Sequence, residues 1–285
     1  MTEFKRPKRY KWKKRIIDFF SQMFCIGVAA SCIFPLVWMV SSSLKTQSTI
    51  FSDMSIIPKT FHISNYLLAW TKGNFGIYFF NSIFYTVTVV FGVVAVASLA
   101  AYAFSRLDFP WKNALFLLLI IMMFIPVPGA FIALYVLLNN LGLVDTRIGY
   151  ILVQINGGLA LGVFLLKTFF DKLPREIEDA ARIDGCNKFQ VYFYVALPIA
   201  KPAIAVLVIF NALTVWNEYL FAMLVLNTQS KMPLQLGLMT FQGAHNTQYP
   251  LLMAGITITV IPIIVLYLVM QRHIIAGITA GAIRS

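Results

Sequence analysis

Charge, and acidic charge above all, is what this sequence has least of. Only 12% of its 285 residues are charged, and 11 aspartates and glutamates stand against 23 lysines and arginines. Cysteine and histidine are equally scarce, with three residues of each, and no CxxC spacing occurs. Neither a disulfide framework nor a zinc site is therefore supported. No nucleophile is paired in the sequence with a base, so the residues do not suggest an enzyme.

A phosphate-binding loop is also missing. None of the 16 glycines is followed by lysine, which excludes the pattern Gly-x-x-x-x-Gly-Lys-Ser/Thr. We therefore expect no ATPase site, no cofactor and no metal on this chain. If ATP drives its activity, ATP and Mg²⁺ would be bound by a partner subunit.

Apolar residues are abundant instead, at 59% of the chain with a mean hydropathy of +0.79. About 20 helical residues cross the hydrocarbon layer of a membrane. Six runs approach or exceed this length, and Glu218 is the one charged residue within them. The sequence therefore predicts an all-α integral membrane protein with six transmembrane helices, at Phe19–Val40, Ser82–Phe104, Asn113–Val136, Gly149–Leu166, Pro202–Leu226 and Leu251–Met270.

The basic residues predict how these helices are oriented. If the N-terminus is cytoplasmic, 18 of the 23 lysines and arginines fall in cytoplasmic segments, as the positive-inside rule requires. Both termini are then cytoplasmic. The run at Phe19–Val40 has 22 residues, more than the roughly 7–15 of a cleaved signal peptide. We predict a basic cytoplasmic segment at 1–18, a transmembrane domain at 19–270 and a cytoplasmic tail at 271–285.

The basic N-terminal segment, KRPKRYKWKKR, resembles a nucleic-acid-binding patch in composition. Its position directly before an apolar span favours an anchor that faces anionic membrane lipid. We therefore expect contact with lipid and no nucleic-acid partner.

The rare charges concentrate in one stretch, DKLPREIEDAARIDG, from Asp171 to Gly185. Pro174 suits the first turn of a helix, and Gly185 suits a left-handed cap at its end. The stretch predicts a short water-facing helix over 174–184, between the fourth and fifth spans, followed by a second helix from Lys188 to Leu197. A lipid-bound amphipathic linker is the alternative, but acids and alanines are unlike the Lys/Arg and Trp/Phe/Leu composition of such helices. A docking surface for a protein fits better.

The same stretch resembles the EAA loop of binding-protein-dependent ABC importer permeases. That motif reads Glu-Ala-Ala, three residues, Gly, nine residues, Ile-x-Leu-Pro. Here Asp179 replaces the glutamate, Ala180, Ala181 and Gly185 match, and Val195, Leu197 and Pro198 complete the pattern. The segments AYAFSRLDFPWKN, WNEYLFA and GITAGAIRS are similar to the maltose-type second permease subunit of carbohydrate importers.

The resemblance implies a permease subunit that moves a sugar or oligosaccharide by alternating access. Its implied partners are a second permease, an ATPase dimer and an extracellular solute-binding protein. The loop at about 171–200 would carry the coupling helix that contacts the ATPase. The residues expected to take part in this coupling are Glu178, Asp179, Ala180, Ala181, Asp184, Gly185, Leu197 and Pro198.

A second group of candidate residues lies near the end of the fifth span. Glu218 is an intramembrane acid, and such residues are functional candidates by default. Trp216, Asn217 and Tyr219 beside it are the types that stack on and hydrogen-bond to sugars. We consider all four as residues of the translocation pathway. A structural hydrogen bond from Glu218 to a neighbouring helix remains an equal alternative.

Two other functions stay open. A related importer could carry glycerol phosphodiesters or polyols, although the spans contain no cation to bind a phosphate. An ion-coupled secondary transporter should show several buried ionisable groups and internal repeats. The sequence offers one intramembrane acid and no evident repeat.

Overall fold

The computed structural model describes residues 8–124, 130–243 and 247–282. Their one strand-like pairing is an isolated bridge between Gln242 and Thr247, and all other regular structure is helical. The α-helices of the described residues are α1 (Lys8–Ser43), α2 (Ser64–Thr71), α3 (Phe75–Arg106), α4 (Lys112–Phe124), α5 (Ala130–Asn140), α6 (Arg147–Asp171), α7 (Arg175–Ile183), α8 (Lys188–Val191), α9 (Leu197–Ile199), α10 (Lys201–Trp216), α11 (Leu220–Val225), α12 (Leu234–Leu238) and α13 (Tyr249–Ala282).

Four of the six predicted spans correspond to helices that are long and apolar enough to cross a membrane. These are α1 from Arg15 onward, α3, α6 and α13 as far as Gln271. The third predicted span coincides with two shorter apolar helices, α4 and α5. The sequence predicts a kink in this span at Pro126, Pro128 and Gly129, and these three residues lie outside the described part of the chain.

The fifth predicted span, Pro202–Leu226, is not one helix. α10 ends at Trp216, and α11 begins at Leu220 after a break of three residues. The sequence contains neither proline nor glycine at this break. The break depends instead on the Glu218 side chain, which accepts hydrogen bonds from the backbone amides of Phe221 and Ala222.

A second bend precedes α10. The segment Lys188–Ile199 meets α10 at an angle of 74°. The sequence predicts that this second helix ends at Leu197, before Pro198. In the structure the helical segment continues to Ile199. A π-helical turn at Tyr192–Ala196 ends two positions before Pro198. A wider turn of this kind lets a helix accommodate a residue that has no amide hydrogen.

The chain divides into two compact units, which comprise residues 1–69 with 241–257, and residues 70–240 with 258–285. In the first unit, the loop after α1 folds around a buried lysine. Lys45 is 2% exposed and donates to the carbonyls of Asp53 and Ser55, at 2.6 and 2.8 Å. Its ammonium also lies 5.0 Å from the centre of the Trp38 ring. The two carbonyls and the ring replace the water that the buried charge has lost.

The α1 helix shows the opposite pattern of burial. Its most apolar window, which has a mean hydropathy of 2.2, contains no buried residue. An apolar surface of this extent is not stable in water, so lipid or another subunit must cover it.

The second unit is built on the packing of α3 against α6. Val89, Val93 and Ala97 of α3 are completely buried. Two glycines of α6 allow the close approach. A Cβ at Gly162 would lie 2.8 Å from the Cβ of Ala97, and one at Gly158 would lie 2.8 Å from Val93. Small residues bring membrane helices together in this way.

The first turns of α3 hold the segment between α11 and α12. Asn81 donates to the carbonyls of Ser230 and Met232, at 2.9 and 3.0 Å. The hydroxyl of the buried Tyr85 donates to the carbonyl of Lys231 at 2.6 Å. This irregular segment is therefore fastened to one end of α3.

The glycines of α6 provide a matched test of the helix contact. Gly158→Ala places a methyl group against Val93 and the Asn211 side chain, whereas nothing lies within 4 Å of a Cβ at Gly157. We expect Gly158→Ala to destabilise the protein by about 1–3 kcal/mol through overpacking. Gly157→Ala should leave stability unchanged or raise it slightly, because alanine favours a helix. Thermal unfolding of both variants in detergent measures the difference, and equal midpoints would contradict the described packing.

Candidate functional site

The charged stretch forms α7 as the sequence predicts, to within one residue at each end. Pro174 stands at the N-cap with φ −57°, and Glu176 and Glu178 follow in the first turn. Carboxylates there interact favourably with the positive end of the helix dipole. Gly185 has φ +90°, a conformation that strongly favours glycine. The local signals of the sequence therefore mark both ends of this helix.

Glu178 differs from its neighbours on α7 because it faces the interior of the chain. It is 2% exposed, and its Oε1 atom lies 2.6 Å from Nε of Arg106, at the end of α3. Its Oε2 atom accepts a hydrogen bond from the hydroxyl of Tyr102 at 3.1 Å. Both carboxylate oxygens therefore have a donor within the chain, and Glu178 is not part of the exposed surface.

The chain segment that leads into α7 is fastened to the same turn of α3. Nη2 of Arg106 donates to the carbonyl of Leu173 at 2.7 Å. The hydroxyl of Ser105 donates to Asp171 at 2.6 Å, and Lys167 donates to the other oxygen of Asp171 at 2.7 Å. We call Tyr102, Ser105, Arg106, Asp171 and Glu178 the α3–α7 cluster.

The other predicted coupling residues lie mainly on the surface. Asp179, Ala180, Asp184, Gly185 and Pro198 are exposed, while Ala181 and Leu197 are half-buried. Asp179 forms an exposed ion pair with Arg182 at 3.1 Å, which contributes little to stability.

A large apolar side chain also projects from this surface, since Ile183 is 87% exposed. A charged helix with alanines and an exposed isoleucine can dock against a groove of another protein.

A cleft of about 570 Å³ opens beside α7. Its lining combines the α3–α4 loop, at Leu107, Asp108 and Phe109, with charged side chains of α7 and α8. The exposed cations of this lining are Arg175, Arg182 and Lys188, and of these Arg182 is paired with Asp179. The surface available to a partner therefore extends beyond α7 itself.

The four candidate pathway residues have different environments. Trp216 is 5% exposed, and its indole nitrogen donates to the carbonyl of Thr259 in α13 at 3.1 Å. It serves as a contact between helices. Asn217 is exposed, and its side chain donates to the carbonyl of Leu213 at 2.9 Å. Tyr219 is half-buried, with its hydroxyl 3.0 Å from the sulfur of Met223.

Glu218 organises the break between α10 and α11. Its Oε1 atom accepts from the amide of Phe221 at 2.6 Å, and its Oε2 atom accepts from the amide of Ala222 at 3.0 Å. The hydroxyl of the fully buried Tyr150 also donates to Oε2, at 3.1 Å. The carboxylate thus satisfies two amides that an interrupted helix leaves without partners.

Another acid holds the loop that follows α11. The carboxylate of Asp145 accepts from the amides of Asn227 and Thr228, at 2.9 and 3.0 Å, and from the Thr228 hydroxyl. The ammonium of Lys231 lies 3.1 Å away. The hydrogen bond from the Thr228 hydroxyl is the main cause that holds the pKa of Asp145 well below its usual range. The acid therefore stays ionised at neutral pH and fastens this loop.

Sequence reasoning missed Tyr102, Arg106 and Tyr150. Arg106 closes an apolar helix, where a basic residue is expected for topology alone. Its partner Glu178 lies 72 positions along the chain.

Among the described residues, no group of three or more His, Cys, Asp or Glu side chains is arranged to hold a metal ion.

Several long apolar helices and one charged helix outside them define a multi-pass membrane protein. The family described as "Binding-protein-dependent transport system inner membrane component" matches residues 93–279. The chain belongs to this family. It is accordingly a transport component of the cytoplasmic membrane, and the resemblance read from the EAA loop is confirmed.

Individual relatives cover nearly the whole chain. The diacetylchitobiose uptake system permease protein NgcG of Streptomyces coelicolor is 33% identical over 254 residues, which are 88% of this chain and 84% of the relative. The arabinooligosaccharides transport system permease protein AraQ of Halalkalibacterium halodurans is 30% identical over 95% of this chain and 99% of the relative.

A further relative and a solved structure agree with these matches. The melibiose/raffinose/stachyose import permease protein MelC of Bacillus subtilis is 30% identical over 90% of this chain and 93% of its own. A chain of a bacterial ABC transporter involved in alginate import superposes with a TM-score of 0.82 at 24% identity, over 92% of this chain and 98% of that one. At this identity the match shows a common fold.

The contacts of Glu218 allow its two predicted roles to be separated. Glu218→Ala removes the acceptor for two amides and a buried hydroxyl, so we expect a loss of about 1–2 kcal/mol, as for other helix caps. Tyr150→Phe removes one hydrogen bond and should cost about 1 kcal/mol. Because the two groups share a contact, their effects should not add. Thermal unfolding of both single variants and the double variant provides the measurement. An unchanged midpoint in Glu218→Ala, together with lost transport, would favour a role in the pathway alone.

Proposed function

We propose that this chain is one of two permease subunits of an ATP-driven importer that carries a sugar or oligosaccharide across the cytoplasmic membrane. The observation that carries the proposal is the exposed surface of α7 in a chain of this family. The names of three relatives supply the cargo class, since they specify diacetylchitobiose, arabinooligosaccharides and melibiose, raffinose or stachyose.

The proposed topology has six spans with both termini in the cytoplasm. Besides the four long helices, α4 with α5 forms the third span, and α10 with α11 forms the fifth. The distribution of lysine and arginine supports this orientation. It assigns α7 and the cleft beside it to the cytoplasmic side, where an ATPase would reach them.

The proposed mechanism couples α7 to an ATPase dimer that binds ATP and Mg²⁺. Ile183, Asp179 and Ala180 would enter a groove of that ATPase. Small side chains at Ala180 and Ala181 permit close approach, and Arg175 and Lys188 offer charges to acidic groups at the rim. Movement of the ATPase dimer would then open the paired permeases alternately outward, toward a solute-binding protein, and inward.

The break between α10 and α11 is the proposed place where this subunit lines the pathway. Asn217 is the exposed polar member of the four candidates, and the amide of Gln235 lies 3.4 Å from its side-chain oxygen. Two neighbouring amides can hydrogen-bond to sugar hydroxyls. Trp216 and Glu218 stabilise this break instead of offering polar atoms to the sugar, since their polar atoms are hydrogen-bonded to Thr259, Tyr150 and the backbone.

An ion-coupled transporter receives less support from these contacts. The carboxylate of Glu218 accepts three hydrogen bonds from the chain, which compete with any coupling ion. Nothing in the described residues favours glycerol phosphodiesters or polyols over sugars.

The proposal predicts how the purified complex behaves. The tagged permease is isolated from its native membrane, its companions are identified by mass spectrometry, and uptake of labelled oligosaccharides is measured in proteoliposomes. We expect ATP-dependent uptake, a companion with a phosphate-binding loop, and no ATP hydrolysis by the permease alone. Ile183→Ser should reduce recovery of the ATPase at least fivefold without lowering permease levels, because Ile183 is almost fully exposed.

Leu141→Ser is the matched control, since Leu141 is 61% exposed and lies before α6, away from α7. It should leave recovery of the ATPase unchanged. Uptake that needs an ion gradient instead of ATP, or ATPase recovery that is equal in Ile183→Ser and wild type, would refute the proposal.

A further inference from the structure

Glu178 occupies an unexpected position for a residue of a docking helix. It lies on α7 beside Asp179 and Ala180, yet it is only 2% exposed, although it contributes to the lining of the cleft beside α7. A buried carboxylate is costly unless each oxygen has a donor. Here the guanidinium of Arg106 serves one oxygen and the hydroxyl of Tyr102 serves the other. Both oxygens of this buried carboxylate of α7 therefore have hydrogen-bond donors within the chain.

Arg106 holds α7 at two points. Its Nε atom binds Glu178 within the helix, and its Nη2 atom binds the carbonyl of Leu173, directly before Pro174. The side chain of Arg106 is buried, since only 5% of it is exposed. The fork of donors in a guanidinium has a fixed geometry, so two contacts made by one group restrict both the position and the direction of α7.

The rest of the α3–α7 cluster strengthens this connection. Tyr102, Ser105 and Arg106 are spaced three and four residues apart, which places them on one face of α3. Ser105 holds Asp171, the last residue of α6, at 2.6 Å. The last turn of α3 therefore fixes the end of α6, the linker and α7 together.

The opposite end of α3 is equally well fastened. Asn81 and Tyr85 bind the carbonyls of the segment 230–232, between α11 and α12. From Asn81 to Arg106 the helix rises about 37 Å, at 1.5 Å per residue. One continuous helix thus connects the support of α7 to the segment that follows the break at Glu218.

We propose that Arg106 is the positioning residue that couples α7 to α3, so that a displacement of α7 moves α3 as a rigid rod. The inference rests on the proposed function, because it assumes that the ATPase moves α7. Glu178 and Tyr102 complete the link. Weakening it should let the ATPase hydrolyse ATP without moving the permease, so the number of sugars transported per ATP should fall.

The test compares this ratio in the intact importer complex reconstituted in liposomes. Arg106→Gln removes the charge and both anchoring contacts, and we expect at least a tenfold lower ratio of uptake to ATP hydrolysis. Recovery of the ATPase with the permease should remain above half of wild type, because the exposed surface of α7 is unaltered. Lys172→Gln is the matched control, since this exposed cation lies in the same linker and outside the cluster. Its ratio should equal that of wild type.

A charge exchange makes the test specific to the ion pair. Arg106→Glu and Glu178→Arg should each uncouple transport, and the double variant should recover part of the ratio. If Arg106→Gln does not accumulate, Tyr102→Phe decides, because it removes one hydroxyl and leaves the ion pair. A lower ratio in assembled Tyr102→Phe complex supports the inference, and a wild-type ratio overturns it.

The outcomes also separate the inference from the proposed function. A wild-type complex without ATP-dependent uptake would refute the function before any variant is compared. If the wild-type complex couples normally and the Arg106→Gln complex couples equally well, the link through Arg106 is refuted and the proposed function is not.

Discussion

The buried ion pair between Arg106 and Glu178 is the contact on which the arrangement of α7 depends. A charge inside a protein is tolerated only where its partners replace the lost water, and removal of one partner leaves the other uncompensated. Arg106 and Glu178 have this mutual dependence, with Tyr102 and the carbonyl of Leu173 completing the set of donors and acceptors. The helix with the highest density of charge is therefore fastened to the apolar core of α3 and α6 by the one acid that it buries.

The break between α10 and α11 follows the same rule on backbone groups. In lipid every amide and carbonyl needs an internal partner, so a helix can stop only where side chains take over. Glu218 provides those acceptors, and Trp216 fastens the end of α10 to the Thr259 carbonyl of α13. A polar cluster between the apolar helices α10 and α11 can thus support an irregular backbone that presents Asn217. At α7 and at the break between α10 and α11, hydrogen bonds within the chain fix the position of the segment to which the proposed function is assigned.

The sequence predicted features with local causes well. Pro174 and Gly185 mark the ends of α7 because each acts on its own backbone. Uninterrupted apolar runs predicted the four helices that are long and apolar enough to cross a membrane. The EAA loop identified the family. The break at Asn217–Tyr219 escaped prediction because no proline or glycine marks it. It depends on Glu218, which accepts from two nearby amides and from Tyr150 in another helix.

The inward direction of Glu178 escaped prediction for a similar reason. Nothing near Glu178 in the sequence distinguishes it from Glu176, and the difference comes from Arg106 and Tyr102 in α3. Contacts over such distances in the chain, between residues with ordinary local explanations, are not visible in a single sequence.

The central claim, that α7 and α3 move as one body, is tested most directly by a distance measurement in the working complex. Spin labels at Ile177 and Phe91, which are both exposed and are not assigned to the ATPase contact, report the separation of α7 from the middle of α3 after Cys25, Cys32 and Cys186 are replaced by serine. Pulsed double electron–electron resonance measures the distance between the two labels without nucleotide and with ATP trapped on the ATPase. The account predicts one narrow distance that is the same in both states and broadens in Arg106→Gln. A distance that changes by several ångströms between the two states of the wild-type complex would contradict it.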